Sequence, residues 1–129
     1  MRDIETRADI ELLMQTFYSR ALTDETIGYF FTEVVPLNME VHMPLIVDFW
    51  ETVLLGKAAY RGNVMQVHQH IHSLSAFKEE HFAKWVFLFH QTVNELYSGD
   101  CAELAKQRAE SIATLMRIKL LHSGIDRAH

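Results

Sequence analysis

Five aromatic and imidazole side chains are the groups in this chain best suited to do chemistry: Tyr18, His42, Trp50, His68 and Trp85. They fall on four separate segments, each on or beside an apolar stripe. Burying a polar ring without a partner is costly, so an imidazole in such a place asks for something to bind. A heme iron is one such partner. It needs one axial nitrogen, an apolar slot, and a distal side with few, well-aimed donors.

The elements that must position these residues read as helices. Ile10, Leu13, Met14, Phe17, Tyr18 and Ala21 recur at steps of three and four, one face of an amphipathic helix, and Thr6 with Asp9 marks its start. A short segment from Asp24 to Phe31 follows, and the region of Pro36 breaks the pattern. The next helix carries His42, Ile46, Phe49, Trp50, Val53 and Leu54 on one side and stops at Gly56, with Pro44 in its first turn or kinking it. Tyr60 to Asn63 forms a turn, with Asn63 capping a short helix that holds Val64, Val67, His68 and Ile71. Phe77, Phe82, Trp85, Leu88, Phe89, Val93 and Leu96 mark a further helix ended by Gly99. The last runs from about Ala102 to Leu121, with Ala105, Ala109, Ile112, Leu115 and Met116 inward. No stretch shows the alternation of a strand, so the prediction is all-α, with residues 1–129 as one domain.

Composition narrows the function classes. The net charge of −5 argues against a nucleic-acid partner, which would call for a basic face. A charged N-terminal stretch without an apolar core, and no apolar run of spanning length, point to no membrane partner and to a cytoplasmic protein. The single cysteine, Cys101, rules out an internal disulfide and a paired-cysteine metal site. Eight histidines are many for 129 residues, and His68, His70 and His72 fall in one short run. His68 and His72 would share a helix face, a spacing that also suits zinc, but no further zinc motif, di-iron Glu-x-x-His pair or nucleophile elbow accompanies them. On their own, Trp50 and Trp85 are ordinary core residues, Tyr18 an ordinary buried phenol and His42 a half-exposed surface residue. His70, His81, His90, His122 and His129 read as surface or structural.

The order of motifs is more specific than any one of them. Tyr60, Gly62, Asn63, Met65 and His68 are followed by His81, Phe82, Trp85, Leu88, Phe89, Thr92, Val93, Glu95 and Leu96. Leu13, Met14, Phe17 and Tyr18, then His42, Pro44, Ile46, Phe49 and Trp50, precede them. The run Ala105 to Ala109 with Ser111, Ile112 and Ala113 closes the series. Together these resemble the truncated hemoglobins, in particular their group III, over about residues 8–120.

That resemblance implies a shortened globin, its helices packed two-over-two around heme b. His68 takes the place of the proximal iron ligand, with His72 as the alternative because the interval from His68 to Trp85 is longer than in many members. Tyr18 and Trp85 take the places of the distal donors and His42 that of the distal histidine. Phe31, Ile46 and Phe82 would pack on the cofactor, Phe31 near the distal side. The implied small ligands are dioxygen, nitric oxide, carbon monoxide and peroxide. A phenol and an indole both aimed at negative charge on such a ligand act like an oxyanion hole, each bond worth roughly 1–3 kcal/mol. Two of them slow ligand escape by roughly a hundredfold or more. Slow release favours chemistry over carriage: oxidation of nitric oxide to nitrate or peroxidase-like turnover, with a reductase as partner. Two other readings stay open: a gas or redox sensor or electron-transfer protein in which His42 also ligates the iron, and a helical interaction domain without heme.

The first prediction follows from the register. His68→Ala will abolish stable heme incorporation, or leave an iron rescued only by added imidazole, as read from the visible spectrum. A normal spectrum in His68→Ala together with its loss in His72→Ala would place the proximal ligand one helical turn later.

Overall fold

A computed structural model describes residues 1–29, 39–56 and 79–128, the side chains of Met116 and residues 119–128 excepted. Four long helices make up most of it: α1 (Arg7–Thr23), α2 (Met39–Leu55), α3 (Glu79–Leu96) and α4 (Asp100–Ala128), and no strand occurs among the described residues. The proposed short helix of residues 64–71 and its preceding turn lie outside the described residues.

Helix α1 begins where its local chemistry dictates. Thr6 Oγ1 accepts a hydrogen bond from the Asp9 amide at 3.3 Å, and the Asp9 carboxylate accepts from the Thr6 amide at 3.0 Å, a reciprocal capping box. The Asp9 carboxylate also accepts from the Glu5 amide and from the Arg2 guanidinium. Helix α1 stops at Asp24, whose carboxylate turns back to accept from the amides of Thr26 and Ile27. Gly56 closes α2 with φ at +68°, the left-handed conformation that glycine adopts without steric cost. Pro44 stands inside α2.

The first turn of α4 is completed by a residue far away in sequence. Asp3 Oδ2 accepts from the Cys101 amide at 2.9 Å and Oδ1 from the Ala102 amide at 2.8 Å. These amides have no partner within their own helix, so Asp3 does the work of an N-cap that Gly99, lacking a side chain, leaves undone. Gly99 has φ of +137°, and a Cβ on it would lie 2.6 Å from the Asp3 carboxylate, so both conformation and space demand glycine. The Ser98 amide donates to the Arg2 carbonyl, and the Tyr97 hydroxyl donates to the Asp9 carbonyl at 2.9 Å. The N-terminal segment is thus fastened across the α3–α4 corner. Helix α4 starts at Asp100 and runs to Ala128, beyond the predicted end near Leu121, since a lone Gly124 weakens a helix without ending it.

Helices α3 and α4 pack against each other, α1 lies against both α2 and α3, and α2 touches α4, which gives two layers of two helices. The core face of α1 is as predicted at Ile10, Leu13, Met14, Phe17 and Ala21, all buried, while Tyr18 is only partly covered. On α2 the stripe is displaced by one residue. Val47, Trp50, Glu51 and Leu54 are the buried positions, while Ile46, Phe49 and Val53 are only partly covered. Glu51 is accepted into the interior because the Arg7 guanidinium, 3.0 Å away, pairs with it and also reaches Asp48 at 2.6 Å. On α4, Ala102, Ala105, Ala109 and Ala113 bring the backbone close to α3, and Leu115, predicted to face inward, is 43% exposed because it lies beside that stripe. Between α1 and α3, Arg20 donates to Thr92 Oγ1 at 3.2 Å and pairs with Glu95.

The N-terminal fastening is acid-sensitive. Burial alone would raise the Asp9 carboxyl, but the amides of Glu5 and Thr6 and the Arg2 guanidinium outweigh it and hold the group at about 2. A carboxyl depressed in the folded state contributes stability above its unfolded value of 3.8, and that contribution is lost as pH falls toward 2. Asp9→Asn will therefore lower the urea midpoint at pH 7 and flatten its decline between roughly pH 5 and 2. An acid profile as steep as that of the parent would assign the sensitivity elsewhere.

Candidate functional site

Tyr18 lies on α1, His42 and Ile46 on α2, and Phe82 and Trp85 on α3, so the site is assembled from three helices. Two of these, Tyr18 and Trp85, are brought together by a cluster of rings. Phe17, fully buried, meets Tyr18 edge-on with centroids 4.9 Å apart and Trp85 edge-on at 5.8 Å. It also meets Phe89 at 5.2 Å. Phe89 in turn stacks on Trp85 at 6.0 Å and on Trp50 at 5.1 Å. Edge-to-face and offset-stacked pairs at these separations are the favourable aromatic geometries. Two of the predicted donors, Tyr18 and Trp85, are therefore tied to the same ring.

The electrostatics of Tyr18 suit a donor. A phenol is neutral at pH 7 in any case, and desolvation pushes this one further up, to about 12. Ile46 and Trp85 pack on the core while remaining partly uncovered, and Met43, Phe49 and Val86 do the same. Phe82 is buried. His42 is half-buried, one helical turn before Ile46. Partly covered aromatic and aliphatic side chains together with one neutral phenol and one indole are a set of groups suited to the flat apolar face of a porphyrin and a small polar ligand. Phe31, His68 and His72 lie outside the described residues.

The remaining described histidines have structural surroundings. His81 is buried in the first turn of α3, with Glu80 at 3.9 Å. His90 Nε2 lies 3.2 Å from the Lys106 carbonyl and 3.3 Å from Glu110, linking α3 to α4. Trp50, grouped with the candidate residues by its type, is a core ring stacked on Phe89 rather than one of the partly covered side chains. The organising role of Phe17 and Phe89 was not visible in sequence, where both are simply apolar residues at the right spacing.

With this arrangement in view, a shortened globin is the class that the helices and their cluster define. No family model matches the chain. The chain is 31% identical over 118 residues to the group 3 truncated hemoglobin of Campylobacter jejuni, a match covering 89% of this chain and 91% of that protein. The crystal structure of the group III truncated hemoglobin from the same organism superposes with a TM-score of 0.78 at 27% identity, covering 93% of this chain and 95% of the other. The chain belongs to the group III truncated hemoglobins. Its fold is the two-over-two truncated globin fold, and membership of a globin family implies a heme and small gaseous ligands.

Phe89 is where α1, α2 and α3 meet, through Phe17, Trp50 and Trp85. Phe89→Ala will cost about 3–5 kcal/mol of stability, the range for emptying a buried aromatic site. Denaturant unfolding followed by circular dichroism checks this. A loss under about 1 kcal/mol would mean the neighbouring rings close the gap.

Proposed function

We propose that this protein holds heme b through His68 and binds dioxygen, with Tyr18 and Trp85 as the two groups that retain the ligand. The observation that carries the reading is the aromatic cluster joining these two donors. The curated relative is named a truncated hemoglobin, which supports the cofactor. When bound, the heme supplies an iron able to take a diatomic ligand. The chain's part is to exclude water with Ile46, Phe82 and the partly covered side chains, and to aim an O–H and an N–H where negative charge gathers. His42, half-buried on α2, is read as the distal histidine beside them.

Nitric oxide, carbon monoxide and peroxide are the other small ligands of this reading. Retention of dioxygen suits a reaction better than transport. Nitric oxide and dioxygen with one electron give nitrate, so a reductase partner belongs to that activity, and peroxidase-like turnover would draw on the same pocket. Among the described residues, no helix is long and apolar enough to cross a membrane.

The visible spectrum of the purified protein tests the reading. A Soret band is expected, and the ligand-free ferrous form should be five-coordinate and high-spin. A low-spin six-coordinate ferrous form that becomes high-spin in His42→Leu would instead make His42 a second iron ligand. Tyr18→Phe and Trp85→Phe should each speed dioxygen release by about tenfold, the value of one hydrogen bond to a charged partner, and raise the C–O stretching frequency of the carbonyl complex. Neither rate nor frequency moving in either variant would return both residues to the core.

A further inference from the structure

Tyr18 and Trp85 come from different helices, yet two donors act together only if their separation is fixed. Phe17 is fully buried, and its edge-on contacts reach Tyr18 at 4.9 Å and Trp85 at 5.8 Å. Tyr18 is its immediate neighbour on α1, whereas Trp85 stands on α3, so Phe17 is the junction through which the α1 donor senses the α3 donor. Phe89 completes the seat by stacking on Trp85, with their planes 20° apart, while meeting Phe17 at 78°. The indole is thereby held between a stacked ring and an edge-on ring, which leaves it little freedom to tilt.

The surroundings of this junction keep it in register. Arg20, three residues after Phe17, crosses to α3, where it donates to Thr92 Oγ1 at 3.2 Å and pairs with Glu95. Thr92 is fully buried, and its hydroxyl donates to the Leu88 carbonyl at 2.7 Å. Sliding α1 along α3 would break this bond as well as the ring contacts.

We propose that Phe17 is a positioning residue for the two distal donors, setting the direction of both the Tyr18 hydroxyl and the Trp85 indole through a single pair of edge-on contacts. The proposal rests on the reading of Tyr18 and Trp85 as ligand donors. It gives a residue that does not itself reach the ligand control over how firmly the ligand is held. Aromatic edge contacts depend on ring orientation, so an aliphatic side chain of similar reach fills the space but cannot hold the two neighbours at fixed angles.

The test compares carbonyl complexes of the heme-loaded protein by infrared spectroscopy, together with dioxygen release. Phe17→Leu should split or broaden the C–O band and shift it toward higher frequency. Release should quicken by roughly three- to tenfold, the range one or two aromatic edge contacts support. Phe17→Met, which fills the same site with a flexible chain, gives the same reading should the leucine variant fail to fold. Ile10→Ala, a core truncation two turns away on α1, should lower stability and leave the band in place. An unmoved band in the Phe17 variants, or an equal shift in Ile10→Ala, overturns the positioning role. If the band answers to neither Tyr18→Phe nor Trp85→Phe, the donors themselves are lost and the proposal with them. If it answers to those two and not to Phe17→Leu, only the role of Phe17 falls.

Discussion

The contact between Phe89 and its three aromatic neighbours is the one on which the described site depends. Phe17 from α1, Trp50 from α2 and Trp85 from α3 all converge on that ring. A chain of this length has little room for layers of core, so the residues that hold three helices together also seat the side chains of the candidate site. Packing and the geometry of the candidate site are therefore not separable here. The angle at which α1 meets α3 is the angle at which a phenol meets an indole.

Charged groups enter this apolar frame only where they are answered. Glu51 is buried opposite Arg7, and Asp9 is surrounded by two amides and the Arg2 guanidinium. Arg20 reaches a fully buried hydroxyl at Thr92. The Arg7–Glu51 and Arg20–Thr92 contacts join segments distant in sequence, and each of the three would leave an unpaired polar group behind if one partner were removed. The polar contacts fix helix register, and the apolar ones supply most of the driving force.

Much of this was legible in the sequence because helix faces and caps are local. The stripe of Ile10, Leu13, Met14, Phe17 and Ala21 is read directly from spacing, and the Thr6–Asp9 cap from residue type. The shift on α2 was not legible, since it turns on Arg7 meeting Glu51 across 44 positions, and no window along the chain contains both. Leu115 misled for a similar reason: hydrophobicity suggested an inward face, while the alanine stripe beside it decided how α4 lies. For the site, residue types picked out Tyr18 and Trp85, and the ordered motifs gave the family. That Phe17 links the pair is a matter of three-dimensional ring geometry, which spacing does not encode.

The distant cap on α4 has a consequence for the order of events during synthesis. Asp3 and Cys101 are 98 positions apart, and the bond between them finishes the first turn of α4. On the ribosome the N-terminal segment emerges long before its partner exists, so Asp3 must wait, solvated, while α1, α2 and α3 are made. Only when residue 101 appears can the two ends of this long loop meet, and closing it costs chain entropy that the finished packing has to offset. The fastening at the corner therefore cannot close until most of the described chain has been made, so residues translated early are locked late.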